Sequence, residues 1–226
     1  MLSIMTTRRT SRAALLLACT VALGACDSST NGGGGGGGGG GSSSETPFQE
    51  NFDQVTGTAP TSNMPTSINA TYAGAVQASV NDGVEELGIL DGDVTLDVAW
   101  TDGQSTNPFS GQIDNLRFTD SDGTVALQGE LVTDNDVGSI SRTEVSALGQ
   151  TAFTGSMTVL MRGNVSVQDG GETLSGDADI QLGGPFFGSG ASGSAGAASG
   201  GLRLDEGTSG AIADYAIAGE YYLRRQ

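Results

Sequence analysis

Four closely spaced carboxylate pairs, Asp91-Gly92-Asp93, Asp120-Ser121-Asp122, Asp134-Asn135-Asp136 and Asp177-Ala178-Asp179, are the densest reactive groups in this sequence. Such pairs suit calcium ligation, which takes about six to eight oxygens, or acid–base work by two carboxylates. A calcium hand wants Gly at the sixth place of its loop and Glu at the twelfth. Counting from Asp120 gives Val125 and Leu131 instead, so the pattern fails. The other reading is turn chemistry, with each Asp accepting hydrogen bonds from its own backbone. The chain contains no His. It also has no Lys, so the commonest general base and the Schiff-base route are both absent. Glycosidase-like chemistry would need two carboxylates roughly 5–10 Å apart beside a sugar cleft, usually aromatic-lined. With a single Trp and four Tyr, the chain is expected not to be an enzyme and to carry no metal or cofactor.

Gly188-Ser189-Gly190-Ala191-Ser192-Gly193 matches the spacing of a dinucleotide-binding turn. That turn works where a strand enters and a helix leaves, so that backbone N–H groups face a pyrophosphate. Here Gly, Ser and Ala continue to residue 201, and the expectation is a low-complexity loop. Charge excludes another partner class. Without Arg8, Arg9 and Arg12, six Arg stand against 26 acids, a balance of −20 that repels nucleic acid.

Two Cys remain to be placed, Cys19 and Cys26. Residues 1–25 have an Arg-bearing start, an apolar run over residues 13–23 and small residues before Cys26, the pattern of a cleaved export signal. The apolar run is shorter than the roughly 20 residues of a permanent span. Leu23-Gly24-Ala25-Cys26 resembles the lipobox of bacterial lipoproteins, which implies that Cys26 becomes the acylated, palmitate-bearing first residue of the mature chain. Cys19, after Leu16-Leu17-Ala18, is the rival site, with a much shorter apolar run before it. A lipidated Cys26 leaves no thiol for a disulfide, thiol catalysis or metal binding. Residues 26–65 then read as acylated Cys, tether and irregular lead-in. The ten glycines of residues 32–41 form a coil with a typical reach on the order of 20 Å. Asp27, directly after the Cys, resembles the enterobacterial signal for inner-membrane retention, which leaves inner against outer membrane open.

Residues 66–226 carry the folded domain. Strand-like alternation marks residues 72–80, 94–100, 109–118, 124–132, 138–146, 151–161, 164–167, 173–182 and 215–223. The clearest segment puts Val94, Leu96, Val98 and Trp100 on a buried face and Thr95 and Asp97 on a wet one. Asn81-Asp82-Gly83, Asp102-Gly103, Asp120-Ser121-Asp122-Gly123, Asp134-Asn135-Asp136 and Asp169-Gly170-Gly171 read as reversals between antiparallel strands. Gly183-Gly184 reads as a corner, with Pro185-Phe186-Phe187 plugging one end. Trp100, Phe109, Phe118 and Phe153 are further core or plug candidates. A meander of about eight strands closes into a barrel or folds into a sandwich, so the predicted fold is an all-β antiparallel meander barrel.

The order of several short motifs resembles the β-barrel domain of transferrin-binding protein B and its relatives, which include factor H-binding and solute-binding lipoproteins. These are Cys26 with its Gly tether, Tyr72-Ala73-Gly74, Phe109-Ser110-Gly111-Gln112-Ile113-Asp114-Asn115, Phe153-Thr154-Gly155, Gly184-Pro185-Phe186-Phe187-Gly188 and Gly200-Gly201-Leu202. The likeness runs from about residue 66 to residue 226. It implies a single barrel with a side-chain-filled interior, anchored in the outer membrane and surface-exposed, with a periplasm-facing placement as the alternative. It also implies a monomer whose loops bind a protein or small solute without catalysis. The paired handle domains that grip transferrin are missing, so transferrin itself is not implied. Two other readings stay open: an integral eight-stranded outer-membrane barrel, and a structural envelope lipoprotein without a ligand.

Overall fold

The computed structural model describes residues 46–169, 172–205 and 212–226. The first element is not the irregular lead-in expected from the sequence but a helix, α1, Pro47–Thr56. Its start is set locally: the Thr46 hydroxyl accepts from the Gln49 N–H at 3.3 Å, Pro47 occupies the first turn, and Glu50 adds negative charge there. Such a cap contributes about 1 kcal/mol. Phe48, Phe52 and Val55 recur at helical spacing, and Val55 is buried against the barrel wall.

Residues 57–66 then cross one end of the barrel. The Thr61 N–H donates to Phe186 O (3.0 Å) and the Gly188 N–H to Ala59 O (2.9 Å). Met64 donates to Phe153 O at 2.8 Å and Ser62 O accepts from the Phe153 N–H at 2.9 Å.

Ten strands follow: β1 Ser67–Asn81, β2 Glu86–Thr101, β3 Phe109–Asp120, β4 Gly123–Ala126, β5 Gln128–Gly129, β6 Leu131–Ala147, β7 Gln150–Asp169, β8 Glu172–Phe187, β9 Gly193–Asp205 and β10 Ile212–Arg225. β4, β5 and β6 are pieces of one interrupted strand. β4 pairs with β3, β5 with β7, and β6 with both. The sheet is a ring of eight antiparallel walls that closes where β10 meets β1, from Tyr72↔Arg225 to Asn81↔Ala216. The all-β meander barrel read from the sequence is therefore the fold.

Val94, Leu96, Val98 and Trp100 point inward and are at most 3% exposed, while Thr95 and Asp97 face solvent. Polar outward positions recur on other walls, as at Asp177, Asp179, Gln181, Ser199 and Glu220. Inside, Tyr72, Tyr221, Phe186, Leu96, Ile113 and Leu182 are fully or almost fully buried.

Three expectations about irregular structure are corrected. The Gly/Ser/Ala run is not the low-complexity loop expected throughout: from Gly193 onward it is β9, paired with β8 on one side and β10 on the other. Gly183 and Gly184 do not turn a corner, because β8 keeps one register from Gly183↔Ala197 to Phe187↔Gly193. Residues 134–136 are not a reversal but lie in a bulge of β6, between the pairs Thr133↔Met161 and Gly138↔Val159. The reversal comes later, at Leu148 and Gly149, both at positive φ (50° and 75°), the twist a two-residue hairpin requires. The expected Gly170-Gly171 reversal falls on residues outside those described, although β7 and β8 pair up to Asp169↔Glu172.

The core has a pH signature. Burial raises the Tyr72 and Tyr221 phenols above their usual value, opposed by Arg225 at Tyr72 and by the Ser194 hydrogen bond at Tyr221. A group with a raised folded pKa stabilises the fold fully below its unfolded pKa, and that stability is lost as pH rises through the folded value. With no His to titrate, stability should be flat from about pH 7 to 9.5 and fall above about pH 10. Urea unfolding followed across pH 7–11 checks this; a decline near pH 8 would remove the tyrosines as its cause.

Candidate functional site

The barrel interior is used up by packing. Its polar groups are paired: the Tyr72 hydroxyl donates to Ala191 O at 2.6 Å, Ser194 and Tyr221 share a hydroxyl hydrogen bond of 2.9 Å, and Ser194 Oγ donates to Pro185 O at 3.0 Å. The Trp100 indole N–H is the one buried side-chain donor without a partner among the described residues. Trp100, Phe109 and Phe186 lie in the core, and Phe118 and Phe153 pack against it, as read from the sequence. Phe187 instead faces outward and lines a pocket beside α1.

The four acidic pairs are spread over the walls and turns. Asp91 accepts from Gln77 Nε2 (2.7 Å) and Asp93 from Asn115 Nδ2 (2.9 Å), both on the outer face of β2. Asp177 accepts from Asn164 Nδ2 at 2.6 Å on the far wall, and Asp179 lies beside it on the same exposed face of β8. Asp120 and Asp134 each accept from their own backbone as read from the sequence, Asp120 at a turn and Asp134 within the β6 bulge. Asp120 Oδ1 accepts from the Asp122 and Gly123 N–H groups (2.7 and 3.1 Å) and Asp134 Oδ1 from the Asp136 N–H (2.9 Å). At the first hairpin, the Glu85 and Val84 N–H groups hold the Asp82 carboxyl below the usual carboxylate range. Among the described residues no three potential ligands converge on a common point where a metal could sit.

Two pockets flank α1. The first, of about 220 Å³, lies between its C-terminal half and the barrel, lined by Gln54, Val55, Thr58, Phe187, Ser192, Gly193, Arg224 and Arg225. Arg224 ties helix to wall, donating to Asn51 O (3.1 Å) and Gln54 Oε1 (2.8 Å). The second, of about 170 Å³, lies beside the helix start, where Phe48 packs on Tyr222 with centroids 5.4 Å apart and Asp91, Asp93 and Arg117 complete the rim. Burial raises the Tyr222 phenol; Arg224 lowers it, and the Asp93 charge adds to the rise. Both pockets are below the roughly 300–1,000 Å³ of clefts that enclose drug-sized ligands.

One exposed structure is an arm. β6 and β7 stay paired from Gly138↔Val159 to Ala147↔Gln150, whereas β8 joins β7 only from Ser156↔Pro185. Val145 is 47% exposed and Leu148 at the tip fully so. At its base the Arg142 guanidinium stacks 3.6 Å over the Phe153 ring, donates to Met64 O at 3.1 Å and pairs with Asp102 at 3.3 Å. Sequence reasoning read the two strands of the arm, residues 138–146 and 151–161, but missed that they project as an arm, and it missed the α1 pockets. The helix was signalled by Thr46-Pro47 and the Phe48, Phe52, Val55 spacing; the arm carried only the weak signal of an apolar Leu148 before Gly149.

Cys26, its rival Cys19 and the glycine tether lie outside the described residues. No protein-family model and no curated protein matches this chain.

Proposed function

We propose that this protein is a lipid-anchored cell-envelope protein, acylated at Cys26, whose barrel binds another protein through its outer surface and loops without catalysis. The observation that carries the reading is Leu23-Gly24-Ala25-Cys26 followed by a glycine tether, ahead of a barrel whose interior is filled and whose outer wall is polar. A filled interior leaves the outside to do the recognising, which favours a protein over a small solute. The likeness to transferrin-binding-protein-type lipoprotein barrels supports the same placement, in the outer membrane and facing outward. Two acyl chains give stable anchoring where one is marginal.

Labelled palmitate should enter the wild-type protein and be lost in Cys26→Ala, which should also shift the protein from the membrane to the soluble fraction. Incorporation that persists in Cys26→Ala removes the anchor. A pull-down from growth medium and host serum then tests binding; a domain that retains nothing is a structural envelope protein.

One observation favours an integral outer-membrane barrel instead, the closed ring of eight walls. Such a barrel needs an apolar outward band, and Asp97, Asp177, Asp179 and Glu220 interrupt it here. Alkaline carbonate after tether cleavage separates the two readings: a tethered barrel is released, an integral one stays.

A further inference from the structure

The two edges of the β6–β7 arm are treated differently by the chain. On the β7 side, Phe153 donates its N–H to Ser62 O and accepts the Met64 N–H at its C=O, so residues 62–64 cap that edge. On the β6 side, pairing with β3 ends at Gln112↔Val132 and Ile113↔Leu131. Asn107 Nδ2 covers Asp134 O at 2.6 Å, and from Gly138 to Ala147 no strand among the described residues pairs with the second side of β6. Open edges of this length are templates for another strand unless bulges, Pro or inward charges blunt them. The β6 bulge lies before Gly138, and the only charges beyond it are Arg142 and Glu144.

Which main-chain groups face outward follows from the register. Phe153 points its N–H and C=O away from β6, so it exchanges no backbone bonds with Glu144 opposite. Glu144 therefore points its own groups to the open edge, and by alternation so do Ile140, Arg142 and Ser146, while Thr143 and Val145 bond to β7.

We propose that this edge pairs antiparallel with the same edge of a second copy of the chain, about a two-fold axis at Thr143. In that register Arg142 of each copy faces Glu144 of the other, two opposite-charge pairs between residues whose main-chain groups face the open edge, with the Arg142 side chain only 17% exposed where it lies over Phe153. Moving the axis one residue either way sets Arg142 against Arg142 or Glu144 against Glu144, so charge selects a single register. Arg142 has donors to spare: two of its five N–H groups are engaged, to Met64 and Asp102, with Phe153 beneath the ring plane. The assembly departs from the monomer expected of the sequence.

The register is testable by disulfide trapping in the full chain with Cys19 and Cys26 replaced by Ser, so that an introduced Cys is the only thiol. Across the axis Thr143 faces its own copy as a non-hydrogen-bonded pair, with Cα atoms about 4.5 Å apart. That lies within the roughly 4.4–6.8 Å range of disulfides. Thr143→Cys should therefore give a covalent dimer under mild oxidation. Leu148→Cys, fully exposed at the tip, should not, because the two tips lie on the order of 30 Å apart in this register. Adding Glu144→Arg, a solvent-facing change, should lower the Thr143→Cys dimer yield roughly tenfold, since two favourable cross-strand pairs become repulsive. No dimer from Thr143→Cys, equal linking by Leu148→Cys, indifference to Glu144→Arg, or trapping of a different polypeptide alone would each overturn the proposal.

Discussion

Phe186→Ala is expected to destabilise the barrel by about 3–5 kcal/mol, the range for emptying an aromatic site in a packed core. Phe186 is 2% exposed at the barrel end crossed by residues 57–66, its ring centroid 6.3 Å from that of Tyr72. Tyr72 is held in turn by its hydroxyl on Ala191 O, and the Phe186 carbonyl accepts from Thr61, so neither side chain nor main chain can slide in to fill the space. The next residue is the internal control. Phe187 points outward from the same strand, half-buried beside α1, and Phe187→Ala should cost about 1 kcal/mol. Urea unfolding of the two variants reads the difference. Equal costs would mean that the strand does not alternate here and that both rings plug the barrel end.

That pair of residues shows how far the sequence reaches. Alternation over residues 94–100 is legible because a half-buried strand writes burial into every second residue, and Asp120 with Gly123 is legible because a tight turn needs local backbone chemistry. Both signals are local. The identity of β9 is not, since Gly, Ser and Ala are poor strand formers and carry no apolar alternation strong enough to read. The run is a strand because β8 and β10 hold it on both sides and because large side chains around it, Tyr72, Phe186 and Tyr221, take up the interior volume. The bulge at residues 134–137 has the same cause: Asp and Asn suit a turn, and only the pairing with β7 on either side makes them a bulge. The arm was hidden for a further reason. Strand pattern in a sequence does not say where the neighbouring strand stops, and the open edge exists because β3 ends its pairing at Val132.

The same logic bears on function. Six aromatic side chains, Tyr72, Trp100, Phe109, Phe186, Tyr215 and Tyr221, are buried in the barrel core, and the acids singled out by spacing accept from nearby backbone, as at Asp120 and Asp134, or lie scattered on outer walls. The features that the fold leaves open on its outer surface, the pockets beside α1 and the free edge of the arm, are not visible in the sequence as motifs.

Gly200→Val is expected to cost more than about 3 kcal/mol, a large fraction of the roughly 5–15 kcal/mol that holds a domain folded. The cause is contact, not backbone conformation. A Cβ at Gly200 would lie 1.9 Å from Asp179 O, 2.8 Å from its carbonyl carbon and 3.0 Å from Ile180 Cα, all main-chain atoms of β8 that cannot rotate away. Room could come only from separating β8 and β9, which breaks the ladder around Ile180↔Gly200. Next to it, a Cβ at Gly201 meets nothing closer than Tyr215 O at 3.6 Å, so Gly201→Ala should be neutral or stabilise by about 0.4–1 kcal/mol through the unfolded chain. Thermal melts by circular dichroism separate the outcomes. A Gly200→Val protein that melts with the wild type would return residues 193–201 to the loop suggested by their composition, and with them the closure of the barrel between β8 and β10.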